Sequence, residues 1–442
     1  MTQVLLFLIF LAPTIQYRVE LPGFSFAVME PVVLAASAIL ILRTRARKQP
    51  LVIPRTWPEI GLIAIGVWAI LVRPWSSDWK HGLSDIRDWV IPIITFLTLR
   101  ATVRHGWRNA VQTLLAMIVL TSLVGIVQRA TGGFRPFISP EASLKATPES
   151  ESLEGEGWIP GRGLHVCEYF ENRARLSEIG ALPEDAALAA AQTRQAPAFA
   201  LGFFAHPNSL GMMLAAGGML AIGWALERRK VEGWIVPVVV SLALYWTYAK
   251  TSYAFLAVEI GAYFFLRRIR SLKAVAAVVL VSTIAACLVF TRLPASLLGT
   301  LCWRYGLWST AFHQLSAAPL VLLVGNGMDA FRGLAYYSQP HNTYINALLE
   351  YGLLGLGVIL GVVAWVAVAG WRDGRDGLWE RDWVLPAMWL ATLVFFAIGM
   401  TESVLMGVEQ RMIVLNFLAC YLGLRQEARG PTDSSSSDQA RF

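Results

Sequence analysis

Apolar stretches of roughly membrane-spanning length alternate with short polar links along most of the chain. A helix rises about 1.5 Å per residue and bilayer hydrocarbon is about 30 Å thick. About 20 apolar residues therefore cross it, and fewer suffice where flanking side chains snorkel. On that measure the pattern predicts about twelve spans, over 3–17, 26–42, 58–73, 88–102, 109–128, 199–226, 232–249, 252–267, 273–291, 344–370, 383–402 and 408–424. Two long polar segments interrupt the series. Between the fifth and sixth spans, Arg129 to Pro197 holds Gly132-Gly133, an acidic cluster (Glu149, Glu151, Glu154, Glu156) and an Ala-rich, helix-prone stretch from Pro183 to Arg194. Between the ninth and tenth, Thr291 to Asn342 contains Leu301, Tyr305, Trp308 and Phe312 at three- to four-residue spacing. That spacing predicts an amphipathic helix over 297–316, of the kind that lies in the interface plane. The resulting division is 1–128 (membrane helices), 129–198 (loop), 199–291 (membrane helices), 292–343 (polar segment), 344–424 (membrane helices) and 425–442, a tail read as disordered.

Composition supports this reading. Of the 442 residues, 56% are apolar and only 15% charged, whereas about a quarter of a soluble domain is charged. The fold class expected is an all-α polytopic membrane protein. The formal charge of +7 would suggest nucleic acid in a soluble protein. Here the basic residues follow a topological pattern instead, and no RNA-binding motif or basic tract accompanies them.

One set of links carries Arg43, Arg45, Arg47, Lys48 and Arg55, then Arg100, Arg104 and Arg108, then Arg228, Arg229 and Lys230. It continues with Arg267, Arg268, Arg270 and Lys273, then Arg372, Arg375 and Arg381, then Arg425 and Arg429. The opposite short links hold only Arg18; Arg73, Lys80 and Arg87; Lys250; and Arg411. The positive-inside rule makes the first set cytoplasmic, so both termini are inside and both long polar segments outside. Met1 to Tyr17 lacks a basic start and a small-residue cleavage site, and reads as a retained span rather than a signal peptide. Four cysteines show no metal-ligand spacing; Cys167 and Cys302 both fall outside, either as a disulfide or as two free thiols.

Ionisable groups at span ends are costly to bury and are candidates for function. On the outer side these are Lys250 in Tyr248-Ala249-Lys250-Thr251-Ser252, Arg304 in Arg304-Tyr305-Gly306-Leu307-Trp308, His341 in Pro340-His341-Asn342-Thr343-Tyr344, Glu350, Glu402, and His206 in His206-Pro207-Asn208. Each has a plainer role too. Arg304 could snorkel from an interfacial helix, His341 could belong to a helix start, and Tyr344 could anchor at the interface. His206 could be a satisfied boundary histidine beside a Pro207-Asn208 helix start. Glu350 could pair with Arg304, orient His341 or bond a neighbouring helix. Gly352, Gly355 and Gly357 suit close helix packing.

Together, Arg304-x-x-x-Trp308, Pro319, Gly325-Asn326-Gly327, His341-Asn342-x-Tyr344 and Glu350-x-Gly352-x-x-Gly355 resemble the signature of the O-antigen ligase and O-antigen polymerase family. His206-Pro207-Asn208-x-x-Gly211 is similar to the family's upstream Pro-Asn element. Where the family often has Ser-Arg between the middle spans, this chain has Ala249-Lys250-Thr251-Ser252. The resemblance implies a glycosyltransferase of the bacterial inner membrane, active on its outer face in O-antigen, capsule or exopolysaccharide synthesis. The donor is a glycan on undecaprenyl diphosphate. The acceptor is a sugar, on lipid A–core for a ligase or on a second lipid-linked glycan for a polymerase; protein O-glycosylation is a third class within the family. It further implies His341 as base and Arg304, with Lys250, as diphosphate-binding cations. Asn342, Tyr344, Glu350, Glu402, His206 and Asn208 support them. No metal or other cofactor is expected, and inversion at the anomeric carbon follows from a single displacement. The rival classes are a transporter, which predicts repeats, broken spans and mid-membrane charges, and a non-catalytic component of polysaccharide export.

Overall fold

The computed structural model describes residues 1–15, 18–21, 24–27, 29–49, 51, 56–72, 82–103, 106–131, 158–159, 164–165, 203–204, 207–268, 295–327, 330, 340–402, 404–405 and 407–430. Helices dominate them. In chain order they are α1 (Thr2–Leu11), α2 (Met29–Ala46), α3 (Trp57–Leu71), α4 (Gly82–Thr102), α5 (Trp107–Thr131), α6 (Pro207–Arg228), α7 (Ile235–Thr247) and α8 (Lys250–Arg268). They continue with α9 (Ala295–Ala317), α10 (Pro319–Val324), α11 (Thr343–Arg375), α12 (Leu378–Arg381), α13 (Val384–Ile398) and α14 (Gly407–Arg429). A helix therefore occupies every predicted span except 273–291, which lies outside the described residues. Two short antiparallel hairpins, Arg18–Leu21 with Phe24–Ala27 and Trp158–Ile159 with Leu164–His165, add strand to links that the apolar pattern could not resolve.

Among the described residues, three helices are long and apolar enough to cross a membrane: Trp107–Thr131, Asn208–Arg228 and Thr343–Arg375. Shorter apolar helices, at 2–14, 57–71, 231–247 and 384–398, accompany them. This is the make-up of a helical membrane protein. The core is built around α6, which packs against α7, α8 and α13. Leu210, Met213, Ala216, Met219 and Leu220 on α6 are fully buried. A methyl group added at Gly223 would stand 2.4 Å from the Ala387 Cβ, so a small residue lets α6 and α13 approach at that crossing. Leu34, Ile39, Leu42, Val238, Leu242 and Leu360 remain exposed, the outward face expected where the surroundings are lipid.

The two sets of charges separate spatially. At one end Arg100 meets Glu59 at 2.7 Å, Arg108 meets Glu227 at 2.9 Å and Asp382 at 2.6 Å, and Asp373 receives Arg425 at 2.9 Å and Arg429 at 2.7 Å. Arg267 lies 3.7 Å over the Trp383 ring and donates to the Asp382 carbonyl. These arginines all belong to the basic set of links. At the opposite helix ends are Arg87 with Glu30 at 3.6 Å, Arg411 with Asp88, and the His341 region. For Arg100 and Arg425, which are buried, desolvation explains the acidic partners: a buried arginine left without its counter-charge costs roughly 3–5 kcal/mol. Glu259 on α8 contrasts with them; it is buried, and neither carboxyl oxygen has a hydrogen-bond partner among the described residues.

The predicted amphipathic helix exists as α9. Leu307, Ala311 and Leu315 are buried, while Phe312 is 52% exposed. Trp308 packs against this buried cluster as the spacing predicts, and Phe312 alone of the described predicted face residues points away from it.

Candidate functional site

Asn342 starts α11. Its backbone is extended, and its Oδ1 accepts from the amides of Tyr344 and Ile345, each at 3.0 Å. That satisfies two of the amides a helix start leaves open. The same side chain donates through Nδ2 to the Met400 carbonyl at 2.8 Å. Thr343 tightens the link to the turn after α13. Its amide donates to the Gly399 carbonyl at 2.7 Å, its Oγ1 donates to the Glu402 carbonyl at 2.9 Å, and it accepts from the Val404 amide at 2.8 Å. Tyr344 OH donates to the Phe396 carbonyl at 2.7 Å. The segment 342–344 is thus a latch that fixes the 399–404 turn against the start of α11.

His341 stands just before this latch at φ +47°, a left-handed backbone that costs a side-chain-bearing residue about 1 kcal/mol or more. The latch on one side and Trp308 on the other hold it there, because Trp308 Nε1 donates to the Pro340 carbonyl at 2.9 Å. In that pose His341 Nδ1 lies 3.4 Å from Glu402 Oε2. Glu402 Oε1 accepts from Arg304 Nη2 at 2.9 Å, and Arg304 Nη1 donates to the Thr401 carbonyl. Arg304 and Trp308 sit four residues apart on α9, so one helix face supplies both the cation and the indole. All three ionisable side chains are largely buried, with exposures of 11% for Arg304 and Glu402 and 16% for His341. Burial pushes the Glu402 carboxyl upward, but the His341 hydrogen bond and the Arg304 charge outweigh it and hold Glu402 below the ordinary carboxylate range.

Glu350 is buried about two turns into α11. It stands at a break in α11: Gly352 has φ +66° and ψ −169°, which interrupts the helix. The break exposes the carbonyls of Leu349 and Glu350, and the Gly325-Asn326-Gly327 loop closes them. Asn326 N donates to Leu349 O at 2.8 Å and Gly327 N to Glu350 O at 3.0 Å. A methyl group at Gly325, itself at φ +89°, would lie 2.2 Å from the Glu350 carbonyl oxygen; one at Gly352 would lie 2.3 Å from that of Leu323. Two separated glycine motifs are thereby one structural joint. Gly352 thus allows the close packing expected of it and breaks the helix as well, whereas Gly357 has no neighbour within 4 Å of an added methyl. Arg304 has Glu402, not Glu350, as its ion-pair partner, and the same residue faces His341.

The remaining candidates lie apart from this cluster. Lys250 begins α8, and the link before it is fixed by contact with α6: a methyl at Gly211 would stand 2.5 Å from the Ala249 Cβ. That explains the spacing of the Pro207-Asn208-x-x-Gly211 element, in which Asn208 is in the first turn of α6. The Lys250 side chain, His206, Cys167 and the Cys302 side chain are outside the described residues.

A second polar cluster lies below the latch and was not anticipated as a site. Arg411, 1% exposed, donates to the Asp88 carbonyl at 3.0 Å and lies 4.5 Å over the Trp89 ring. Trp89 Nε1 donates to Tyr351 OH at 2.8 Å, and Trp68 Nε1 to the Tyr351 carbonyl at 3.0 Å. A narrow cavity lined by Thr343, Asn346, Glu350, Tyr351 and Trp89 runs between the latch and this cluster. In the sequence Arg411 marks topology; in the fold it lies inside α14. A charge four residues inside an apolar helix was the signal that could have singled it out.

Searches with family models and among curated proteins found no match to this chain.

Proposed function

We propose that the chain is a membrane glycosyltransferase of the O-antigen ligase and polymerase type, transferring a glycan from undecaprenyl diphosphate to a sugar acceptor. The observation that carries this reading is the buried Arg304–Glu402–His341 arrangement at the start of α11. A sugar hydroxyl is a poor nucleophile and needs a base, which an imidazole supplies. With Nδ1 turned to Glu402, Nε2 is the nitrogen that takes the acceptor proton, and the carboxylate stabilises the imidazolium that forms. The diphosphate gathers negative charge as the glycosidic bond breaks, and Arg304, its fork held by Glu402 and the Thr401 carbonyl, supplies a fixed positive charge beside it. Lys250 supplies a second, point-like charge. The reaction inverts the anomeric carbon and uses no metal. In this reading the chain has about twelve spans in the bacterial inner membrane, both termini are cytoplasmic, and the His341 end faces outward.

One observation favours the transporter reading: α11 is broken at Gly352, as discontinuous helices are in transporters. The break lies nine residues from the start of α11, however, and its carbonyls are closed by protein amides rather than turned toward a substrate path. Incubation of the purified protein with a lipid-linked oligosaccharide and candidate acceptors separates the readings. Lengthened lipid-linked glycan defines a polymerase and glycan on lipid A–core a ligase. Movement across liposomes with no new bond contradicts the enzyme.

A further inference from the structure

The broken α11 also serves as a ruler. From Leu353 to the residue before Arg372 it runs 19 residues, about 28 Å, close to the thickness of bilayer hydrocarbon. The first part, Thr343 to Tyr351, adds about 13 Å beyond the break. With that part as the span, Gly352 falls at the hydrocarbon edge and His341 about a headgroup layer above it. The short helix α10, Pro-Leu-Val-Leu-Leu-Val, is tied to the break: the Leu323 carbonyl faces Gly352, and the loop after α10 closes the Leu349 and Glu350 carbonyls.

No residue of α10 is buried, and Leu320 and Leu323 are 70% and 49% exposed. Leu353 and Leu354, next to the break, are each 49% exposed. Four leucines open to water would be unfavourable by about 25 cal/mol per Å² of apolar surface. The closed backbone at the joint is what a water-free setting demands, because an unpaired carbonyl there costs several kcal/mol.

We propose that α10 is seated in the acyl chains of the leaflet on the His341 side, with Leu320 and Leu323 inserted beside Leu353 and Leu354. The partner is the lipid bilayer. The segment 319–324, assigned from sequence to the polar region, is instead an interfacial anchor that sets the height of Arg304 and His341 at the level of lipid headgroups. This rests on the membrane character of α11 and is independent of the transfer reaction.

The test uses the full chain, with its native cysteines replaced by alanine, in phosphatidylcholine–phosphatidylglycerol nanodiscs. Leu320→Cys and Leu323→Cys carry nitroxides, with Leu360→Cys as the hydrocarbon reference and Lys230→Cys as the aqueous one; both reference positions are exposed. Relaxation by oxygen relative to a water-soluble nickel chelate should be several-fold higher at 320 and 323 than at 230, and close to that at 360. Nickel accessibility at 320 and 323 equal to that at 230 overturns the proposal. The two positions test the surface separately, and because both are exposed in the fold, a cysteine at either leaves the core intact.

Discussion

Glu402 holds His341 and Arg304 at once, and its two oxygens are divided between them. Removing the carboxylate leaves a buried guanidinium without its counter-charge, so Glu402→Ala should cost about 3 kcal/mol. Glu402→Gln should cost less, because the amide oxygen still accepts from Arg304. The pH dependence follows from the lowered carboxyl. A carboxyl held below its usual range contributes stability above its unfolded pKa and loses it as pH falls through the lower folded value. Thermal unfolding of wild type and Glu402→Gln should therefore differ at neutral pH, and the difference should close only on acidification below the ordinary glutamate range, about 4.3. A difference that does not change with pH would contradict the ion-pair role. For Arg304 the fork matters as much as the charge. Arg304→Lys retains the charge but cannot span Glu402 and the Thr401 carbonyl together, and turnover should fall at least tenfold, an effect of about 1.4 kcal/mol. Unchanged turnover would reduce Arg304 to a structural ion pair with Glu402.

At the scale of elements, the joint between the 325–327 loop and the α11 break makes the sharpest claim. Gly325→Ala and Gly352→Ala each combine a left-handed backbone with a carbonyl under 2.5 Å from the new methyl. Each should destabilise by several kcal/mol, whereas Gly357→Ala, which meets no neighbour, should be neutral within about 0.5 kcal/mol. Equal Tm values for all three would refute the joint. The sequence signalled both glycine motifs but not their partnership, since two segments 25 residues apart carry no periodicity that joins them. Helices, by contrast, were legible from apolar run length alone, because lipid requires every backbone group in a span to be satisfied locally. Their ends were less so: the 344–370 run gave no sign that its first nine residues form a separate half. Of the two carboxylates the sequence offers on the His341 side, Glu350 and Glu402, the fold gives Arg304 to Glu402. The turn after α13 brings Glu402 to Arg304 from 98 residues away, a distance no local pattern spans.

Over the whole molecule, the alternation of basic links proved the most informative pattern. It sorted the charges into the two ends where the helices place them, with Arg100, Arg108, Arg267, Arg425 and Arg429 at one end and Arg87 and Arg411 at the other. It could not reveal that Arg100, Arg108, Arg425 and Arg429 are paired with acids, since pairing depends on which helices adjoin. The proposed reaction places all its chemistry at the opposite end, on a latch shared by α9, α11 and the turn after α13. His341 is its centre, and the most direct measurement is glycan transfer from a lipid-linked oligosaccharide by purified wild type and His341→Ala in the same lipid. The account predicts new glycosidic product from wild type and a loss of at least a hundredfold in the variant, the lower range for a general base, with an unchanged Tm. Full turnover by His341→Ala, or no bond formation by wild type with any sugar acceptor, would contradict it.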